Sequence, residues 1–530
     1  MKKHNASKVV LITILVFLLL TWIIPAAYYS GEYVDQGRVQ MGLFDLFSYP
    51  LTSLSYFGYI ALYLILVGGF YGILYKIPAY RAFLDKIVEK AKGKEKIALS
   101  VMVVVIALLV SICGAQIGYA LFVPFVVALV LLMGYDKVVA GFVTVGSISA
   151  GLIGNTYATS NSSILTGAFG LDSNFQIGVR FVLLLVAVVL VIFNMLMYIK
   201  RNSAGVKIEK KTVKKVEEKV VEKKVEAPKA APAKKNNSKS SKNTGKKSAK
   251  KSSKSRRSDY KAALKDEDII VVKDSVMKEE ILPAAVGGHH RVWPFVLTFS
   301  LLFILFVLAF LPWGAWGVKA FDTATTSVTN FELFGFPLFA KLLGSINSFG
   351  NWSITDLFLP MALVVLLLAL IYKVKMEEVF DGFVAGAKKA LGPAVIVILL
   401  YTILVLVTYH PFQLPIYKAI LGLAKGFNIA TTVIVAILCG LFNSDIAYSF
   451  QSVVPYFTSV VTDGVDNGLA AIIFQAMYGL TMLVAPTSLV LMATLSYLQV
   501  SFKEWFKSVW RLLLELFVIL LIVFIILALI

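Results

Sequence analysis

The sequence predicts an all-α polytopic membrane protein made of two inverted repeats, each with a re-entrant hairpin and a broken transmembrane helix. Three observations lead to this fold class. Hydrophobic residues make up 58% of the chain against 15% charged residues, and several apolar runs reach the ~20 residues that cross a bilayer. Two of the apolar runs are interrupted by polar residues. The motifs of the first half also return, in the same order, in the second half.

The net charge of +20 is concentrated in one segment outside these apolar runs. Residues 200–261 hold 23 Lys and Arg against 6 Asp and Glu, with long Ser, Asn and Ala stretches. This composition cannot bury enough apolar surface to fold, so residues 200–291 are predicted to form a disordered cytoplasmic linker. Contact with anionic lipid headgroups and a solvated tether both remain open as its role, and no specific nucleic-acid partner is predicted.

Residues 1–199 are predicted to form the first transmembrane repeat. A basic N-terminus precedes the apolar run 9–27, which indicates a first span that starts in the cytoplasm. A second span, 59–75, returns to a basic amphipathic segment, 76–96, at the inner interface. The last span of the repeat, 179–198, is expected to carry Arg180 at the outer interface.

A polar, Gly-rich stretch interrupts the apolar sequence between residues 97 and 135. Two apolar arms joined by such a stretch form either two full spans or one re-entrant hairpin. The stretch contains Gln116, whose amide favours a tip buried in protein. We therefore expect a hairpin with Gln116 at its tip.

The run from Gly154 to Ser163, Gly-Asn-Thr-Tyr-Ala-Thr-Ser-Asn-Ser-Ser, interrupts the next apolar segment, which begins near Val138. A lipid-exposed helix has no water at this depth to satisfy hydroxyl and amide groups. The run must therefore face protein or a cavity. We expect the helix to be broken here.

The second half repeats the first at a near-constant offset, which pairs the first two spans with spans predicted at 354–372 and 392–409. Five pairs of short motifs show it, beginning at Phe44 and Phe380, Pro78 and Pro415, Cys113 and Cys439, Pro124 and Pro455, and Gly134 and Gly464. An extra span within residues 292–313 separates the halves. Counting crossings from a cytoplasmic N-terminus, this span makes residues 314–530 enter the membrane with inverted orientation.

The inversion assigns positions to the elements of the second repeat. Residues 415–427 are expected at the outer interface, and a second hairpin, 429–462, is expected to enter from outside. The sequence Ala-Pro-Thr-Ser at residues 485–488 breaks the following helix. The last span, 512–530, leaves the C-terminus outside. Broken helices at matching positions of two halves are typical of a transporter's binding site.

Candidate binding residues lie at the hairpin tips and helix breaks. Their hydroxyl, amide and freed carbonyl oxygens suit sodium, and half-helix N-termini suit a carboxylate. The first half contributes Gln116, Asn155, Thr156, Thr159 and Ser160, and the second half contributes Asn443, Ser444, Asp445, Thr487 and Ser488.

Asp445 is the sharpest single candidate among these residues. A carboxylate at mid-membrane costs ~2.5–3.5 kcal/mol even on the mild insertion scale, and such residues usually mark an ion or proton path. A role in ion coupling and a shallow, water-exposed position both remain open for it.

The sequence disfavours several other classes of protein and of site. Two cysteines and four histidines without ligand spacing predict no metal site beyond a possible sodium site at the same residues, and no cofactor is expected apart from Na⁺ or H⁺ as coupling ion. An enzyme would need a nucleophile–base or metal set, and an ATP-driven pump would need a phosphate-binding loop. A coupled secondary transporter is favoured, and an ion channel is the alternative from another class.

A series of short motifs spans most of both halves: Pro25, Gly68-Gly69, Gly134-Tyr135-Asp136, Gly151-Leu152-Ile153-Gly154-Asn155, and Ala485-Pro486-Thr487-Ser488 followed by Trp505. In this order they resemble the C4-dicarboxylate anaerobic carrier family (DcuC-like), most nearly its YfcC-like branch. The resemblance implies the ion transporter superfamily fold, with a scaffold and a mobile transport part. It also implies a multi-pass plasma-membrane carrier that often forms a homodimer.

Three departures from the family pattern bear on the substrate. Relatives carry Asn-Pro where this chain has Asn155-Thr156, and a Ser-Gly-Ser-Gly-like tip where it has Asn443-Ser444-Asp445. They also carry an acidic pair where this chain has Leu121-Phe122. The resemblance implies ion-coupled symport or exchange of small carboxylate-bearing solutes, such as C4-dicarboxylates or amino acids, by alternating access. An arginine/ornithine antiporter of the YfcC type is the alternative, and the missing acidic pair weakens it.

Overall fold

A computed structural model describes residues 5–114, 117–225, 282–283, 291–344 and 346–530. The chain forms two compact units. The first comprises Met1–Leu196 and Ala285–Ile530 and holds both predicted repeats, and the second is Met197–Ala284.

The first half is helical apart from one small antiparallel sheet. Its elements, in chain order, are α1 (Asn5–Ile23), β1 (Ala26–Tyr29), β2 (Tyr33–Gly37), α2 (Asp45–Leu74), α3 (Pro78–Ala91), α4 (Glu95–Cys113), α5 (Val123–Leu132), α6 (Lys137–Gly141), α7 (Ser147–Ile153), α8 (Thr159–Phe169) and α9 (Ile177–Val225). A 3₁₀ turn at Gly118–Leu121 precedes α5, and a π turn at Phe142–Gly146 joins α6 to α7.

The remaining described chain is also helical. Its elements are α10 (Trp293–Phe310), α11 (Ala320–Thr329), α12 (Leu338–Leu343), α13 (Phe358–Ile371), α14 (Met376–Tyr409), α15 (Gln413–Leu421), α16 (Ile429–Phe442), α17 (Ile446–Val460), α18 (Asn467–Met482), α19 (Leu489–Leu498) and α20 (Phe502–Leu529). Within the described residues, seven helices are long and apolar enough to cross a membrane. The prediction of an all-α polytopic membrane protein is confirmed.

The same order of elements occurs twice. A long helix, a short helix, two helices joined by a tip, a broken helix and a second long helix run from α2 to α9 and again from α14 to α20. Both broken helices begin behind an aspartate cap: the side chain of Asp136 accepts from the backbone N–H of Val139, and that of Asp466 accepts from Gly468. The recurrence of motifs in the sequence therefore corresponds to a recurrence of elements.

Three predicted spans have different bounds in the structure. The first ends at Ile23 rather than at residue 27, because Pro25 disfavours helical backbone at the residue before it. The spans predicted at 59–75 and 392–409 are the apolar ends of α2 and α14, which begin at Asp45 and Met376. Hydropathy marks only the lipid-facing part, whereas backbone hydrogen bonding continues the helix into the polar interface.

Helix α9 extends past the predicted start of the linker at Lys200. It is helical to Val225. Glu and Lys, which are frequent in this stretch, are strong helix formers. The rest of the predicted linker, apart from Leu282, Pro283 and Arg291, lies outside the described residues.

Glycines hold α2 and α14 together as an antiparallel pair. A Cβ on Gly72 would overlap the carbonyl oxygen of Gly382, and one on Gly386 would overlap that of Gly68. Along the contact, residue numbers increase in α2 while they decrease in α14, so the two helices are antiparallel. Small residues allow such close approach of backbones in membranes, where helix association depends on van der Waals packing. Gly68 and Gly72 are therefore helix-packing positions.

Helix α18 forms the centre of the helix-break region. Every residue from Gly468 to Met482 is buried, so this helix is surrounded on all sides. Helix α7 crosses it closely, since Ser149 Oγ donates to the Gly479 carbonyl at 2.6 Å and a Cβ on Gly479 would overlap the backbone of Ile153. The two broken helices therefore contact each other near the points where their helical backbone is interrupted.

Candidate functional site

The first break is tied to the end of α4. The backbone N–H of Thr156 donates to the Ser111 carbonyl at 2.9 Å, and the two hydroxyls lie 2.8 Å apart. Ser111 Oγ also donates to the Gly154 carbonyl at 2.6 Å. Helix α4 ends beside this contact at Gly114, whose φ of +75° favours glycine. The predicted tip residue Gln116 lies outside the described residues.

The other predicted residues of the first half are divided between buried and accessible positions. Asn155 and Thr156 are buried, and Asn161 Nδ2 donates to Asn155 Oδ1 at 3.3 Å. Thr159 is half-buried. Ser160 is exposed, and its hydroxyl lies against Gly114. The structure thus places the first break beside the end of α4 and Gly114, the described residue that precedes the predicted tip.

Arg180 is fully buried at the first break, so the expectation of an interfacial position is wrong. Its Nε donates to the Asn155 carbonyl at 2.6 Å, and its Nη2 donates to the Thr156 carbonyl. The chain turns back after α8, which brings the first turn of α9 against the break. Arg180 therefore contacts the first break although it lies at the end of its predicted span.

The second break is tied in the same way to the second tip. Thr487 Oγ1 donates to the Leu441 carbonyl at 2.9 Å, and the backbone N–H of Leu489 donates to Ser444 Oγ at 3.2 Å. Ser488 caps α19, accepting from the backbone N–H of Leu491 at 3.3 Å. The predicted residues Thr487, Ser488 and Ser444 therefore belong to one cluster.

Asn443 and Asp445 form the turn at the second tip. The backbone N–H of Asp445 donates to Asn443 Oδ1 at 2.8 Å. The Asp445 carboxylate caps α17 by accepting from the backbone N–H of Tyr448 at 2.9 Å, and the Tyr448 hydroxyl donates to the Val407 carbonyl of α14 at 3.0 Å. Asn443 is buried and Asp445 is half-buried, so the aspartate is neither deeply enclosed nor free in solvent.

Helix α18 links the two clusters through Gln475 and Tyr478, which are neighbours on its surface. Gln475 Nε2 donates to the Asn155 carbonyl at 3.2 Å and to the Ile153 carbonyl at 3.3 Å. The Tyr478 hydroxyl donates to the Ser444 carbonyl at 2.6 Å. The first break and the second tip therefore lie about one helical turn apart along a single buried helix.

Two buried polar atoms at this junction have no partner within the described part of the chain: Asn443 Nδ2 and Gln475 Oε1. The side chains are 6% and 2% exposed. Leaving such a group unpaired costs about 1–3 kcal/mol, so each atom has capacity for a ligand or water. Sequence reasoning missed Gln475, although a lone amide in an apolar stretch of α18 is a detectable signal.

The junction is rich in oxygen ligands. Across the residues that the structure describes, no three His, Cys, Asp or Glu side chains come close enough to hold a metal ion. The groups available are amides, hydroxyls, backbone carbonyls and the Asp445 carboxylate. Oxygen ligands of this kind suit hard cations.

Aromatic rings from between the repeats cover the first break. The ring of Trp316 packs edge-on against Tyr157 with centroids 5.6 Å apart, and against Trp313 at 5.5 Å. Trp316 follows α10 and lies outside the recurring elements, which run from α2 to α9 and from α14 to α20. The polar run at the first break therefore contacts an aromatic ring that comes from outside its own repeat.

A search of curated proteins finds no match. Among solved structures, the Alcanivorax borkumensis YdaH transporter, described as having an unusual topology, is similar at 12% sequence identity and a TM-score of 0.39, covering 98% of this chain and 97% of that chain.

A family comparison covers most of both halves. The model of the C4-dicarboxylate anaerobic carrier family, DcuC, matches residues 5–238 and 293–529. The match spans more than half of the chain and includes both hairpins and both breaks. The chain belongs to the C4-dicarboxylate anaerobic carrier family and is a membrane transporter.

Proposed function

We propose that this carrier is a secondary active transporter that moves a small carboxylate-bearing solute together with, or in exchange for, an ion. The observation that carries the proposal is the pair of unpartnered atoms at the junction. Asn443 Nδ2 is a donor suited to a carboxylate oxygen, and Gln475 Oε1 is an acceptor suited to a sodium ion or an ammonium group. A C4-dicarboxylate and an amino acid both supply matching groups.

Alternating access follows from the way the site is assembled. Each hairpin tip is bonded to the break of its own repeat, and α18 joins the two clusters. Because the repeats run antiparallel, a site between them can be approached from one side past the first tip and from the other past the second. We place the N-terminus and the Lys-rich segment in the cytoplasm and the C-terminus outside.

Uptake into proteoliposomes tests the proposal. We expect saturable, concentrative uptake of radiolabelled succinate or aspartate that depends on an imposed Na⁺ or pH gradient. Unitary currents in planar bilayers, without concentrative uptake, would instead identify a channel. Uptake of arginine in exchange for ornithine, with succinate and aspartate excluded, would instead identify a basic amino acid antiporter and contradict the assignment of succinate or aspartate as solute.

Replacing Asn443 with aspartate is expected to raise the KM for succinate at least tenfold. The change keeps the oxygen that accepts from Asp445 N–H but exchanges the unpartnered donor for a negatively charged acceptor. A hydrogen bond to a charged group contributes about 1.5–3 kcal/mol, and 1.4 kcal/mol corresponds to a factor of ten. Initial uptake rates over a range of succinate concentrations give the KM.

Asn428→Asp provides a matched control for Asn443→Asp. Asn428 caps the other end of α16 through the same side-chain oxygen, which accepts from the backbone N–H of Ala430 at 2.9 Å. Aspartate caps a helix as well as asparagine does, so this variant should transport like the unmodified protein. Equal KM values for the two variants would remove Asn443 from the site.

A further inference from the structure

Arg180 carries a buried positive charge that protein carbonyls solvate. Besides its bonds to Asn155 and Thr156, its Nη1 donates to the Ser173 carbonyl at 2.9 Å and to the Phe175 carbonyl at 3.2 Å. The guanidinium carbon also lies 4.4 Å from the centroid of the Phe175 ring. Four of its five N–H groups are therefore used inside the protein.

No carboxylate of the described residues lies within ion-pair distance of this charge. Among the described residues, the ion pairs formed by arginine are Arg81 with Asp85 and Arg511 with Glu515, and both lie outside the first break. A buried charge without a counter-charge is costly, even when hydrogen bonds surround it. The neutral carbonyls reduce that cost but leave the net charge in place.

The electrostatic effect of Arg180 adds to that of the neighbouring helix ends. The carbonyls of Asn155 and Thr156 follow the C-terminus of α7, where a helix dipole is negative, and the guanidinium neutralises them. Helix α8 begins at Thr159 with its positive end toward the break. The polar run between the two half-helices is therefore left with a net positive potential.

We propose that Arg180 is a positioning residue that makes the first break selective for anionic solutes. It binds the Asn155 and Thr156 carbonyls, so that these oxygens do not face the site. Its fixed positive charge lies behind these two residues, as seen from the site. Because four of its five N–H groups are already used, the guanidinium cannot bind a carboxylate through two N–H groups at once. This inference rests on the proposed carboxylate transport and adds the source of the charge selectivity.

The test compares Arg180→Lys and Arg180→Gln in the full-length protein in proteoliposomes, with succinate as a dianionic probe and aspartate as a singly charged one. We expect Arg180→Gln to raise the KM for succinate about tenfold and for aspartate by a smaller factor, because the Coulomb term scales with the solute's charge. Arg180→Lys, which keeps the charge, should restore most of the succinate affinity. Arg201→Gln, an exposed position on the same helix, is the control.

A second variant keeps the inference testable if the Arg180 variants do not fold. Asn161→Asp places a negative charge beside Asn155 while leaving Arg180 in place, and we expect it to raise the KM for succinate more than that for aspartate. Equal factors for the two solutes, in Asn161→Asp or in folded Arg180→Gln, would overturn the inference. Failure of the unmodified protein to take up either solute would instead overturn the proposed function.

Discussion

Replacing Gly386 with valine is expected to prevent α2 and α14 from packing and to lower the free energy of unfolding by about 3 kcal/mol or more. A Cβ at this position would overlap the Gly68 carbonyl oxygen and come within 2.7 Å of Gly72 Cα. Both neighbours are backbone atoms of a long helix, so neither can turn away as a side-chain end could. The two helices would have to separate along their contact.

The loss can be measured as a lower melting temperature and a broadened size-exclusion profile of the detergent-purified protein. Gly167→Ala is the matched control, since Gly167 lies within α8 and a Cβ there would meet no atom within 4 Å. Alanine favours helix over glycine by about 1 kcal/mol, so the control should be as stable as the unmodified protein or slightly more so. An unchanged melting temperature for Gly386→Val would show that the helix contact is not required.

Replacing Asp445 with asparagine is expected to uncouple transport from the driving ion. Asparagine retains the cap on α17, because its side-chain oxygen can still accept from the Tyr448 N–H, but it removes the charge. Asp445 lies at the second tip, and the hydroxyl of Tyr448, the residue it caps, donates to the Val407 carbonyl of α14 at 3.0 Å, so this charge lies at the boundary between the tip and α14. Removing a carboxylate at such a boundary should abolish concentrative uptake while leaving exchange of solute across the bilayer.

Uptake with and without imposed Na⁺ and pH gradients, alongside solute exchange at equilibrium, separates these two activities. Asp466→Asn is the control, because Asp466 caps α18 through bonds to Gly468 and Leu469 and undergoes the same chemical change. We expect Asp466→Asn to keep gradient-driven uptake. Asp445→Asn with unchanged Na⁺ and pH dependence would leave Asp445 only as a helix cap.

Local sequence signals located the hairpin tips and the breaks because a polar group in lipid has no water with which to form hydrogen bonds. Thr156 and Thr487 stand at equivalent positions of the repeated motifs, and each hydroxyl bonds to a carbonyl at the end of its hairpin's first arm, Ser111 or Leu441. The two threonines show that the recurrence in sequence extends to individual hydrogen bonds.

Other features could not be read from local pattern. Arg180 resembles an interfacial arginine in sequence, and Gln475 stands alone in an apolar helix. The first becomes part of the break because the chain folds back after α8, and the second because α7 crosses α18 at Gly479. Trp316 reaches Tyr157 from a segment outside the recurring elements α2–α9 and α14–α20. These contacts join residues far apart in the chain, and no periodicity records them.

The sequence by itself determined the membrane class, the number and order of apolar helices, the recurrence of the repeats and the two polar interruptions. These follow from hydropathy and from the cost of unpaired polar groups in lipid, which act over one turn or one span. Only the tertiary structure decided which polar atoms remain unpartnered and which charge lies behind the first break. Those properties depend on how α4, α9 and α18 pack around the broken helices, and packing is a property of the assembled chain.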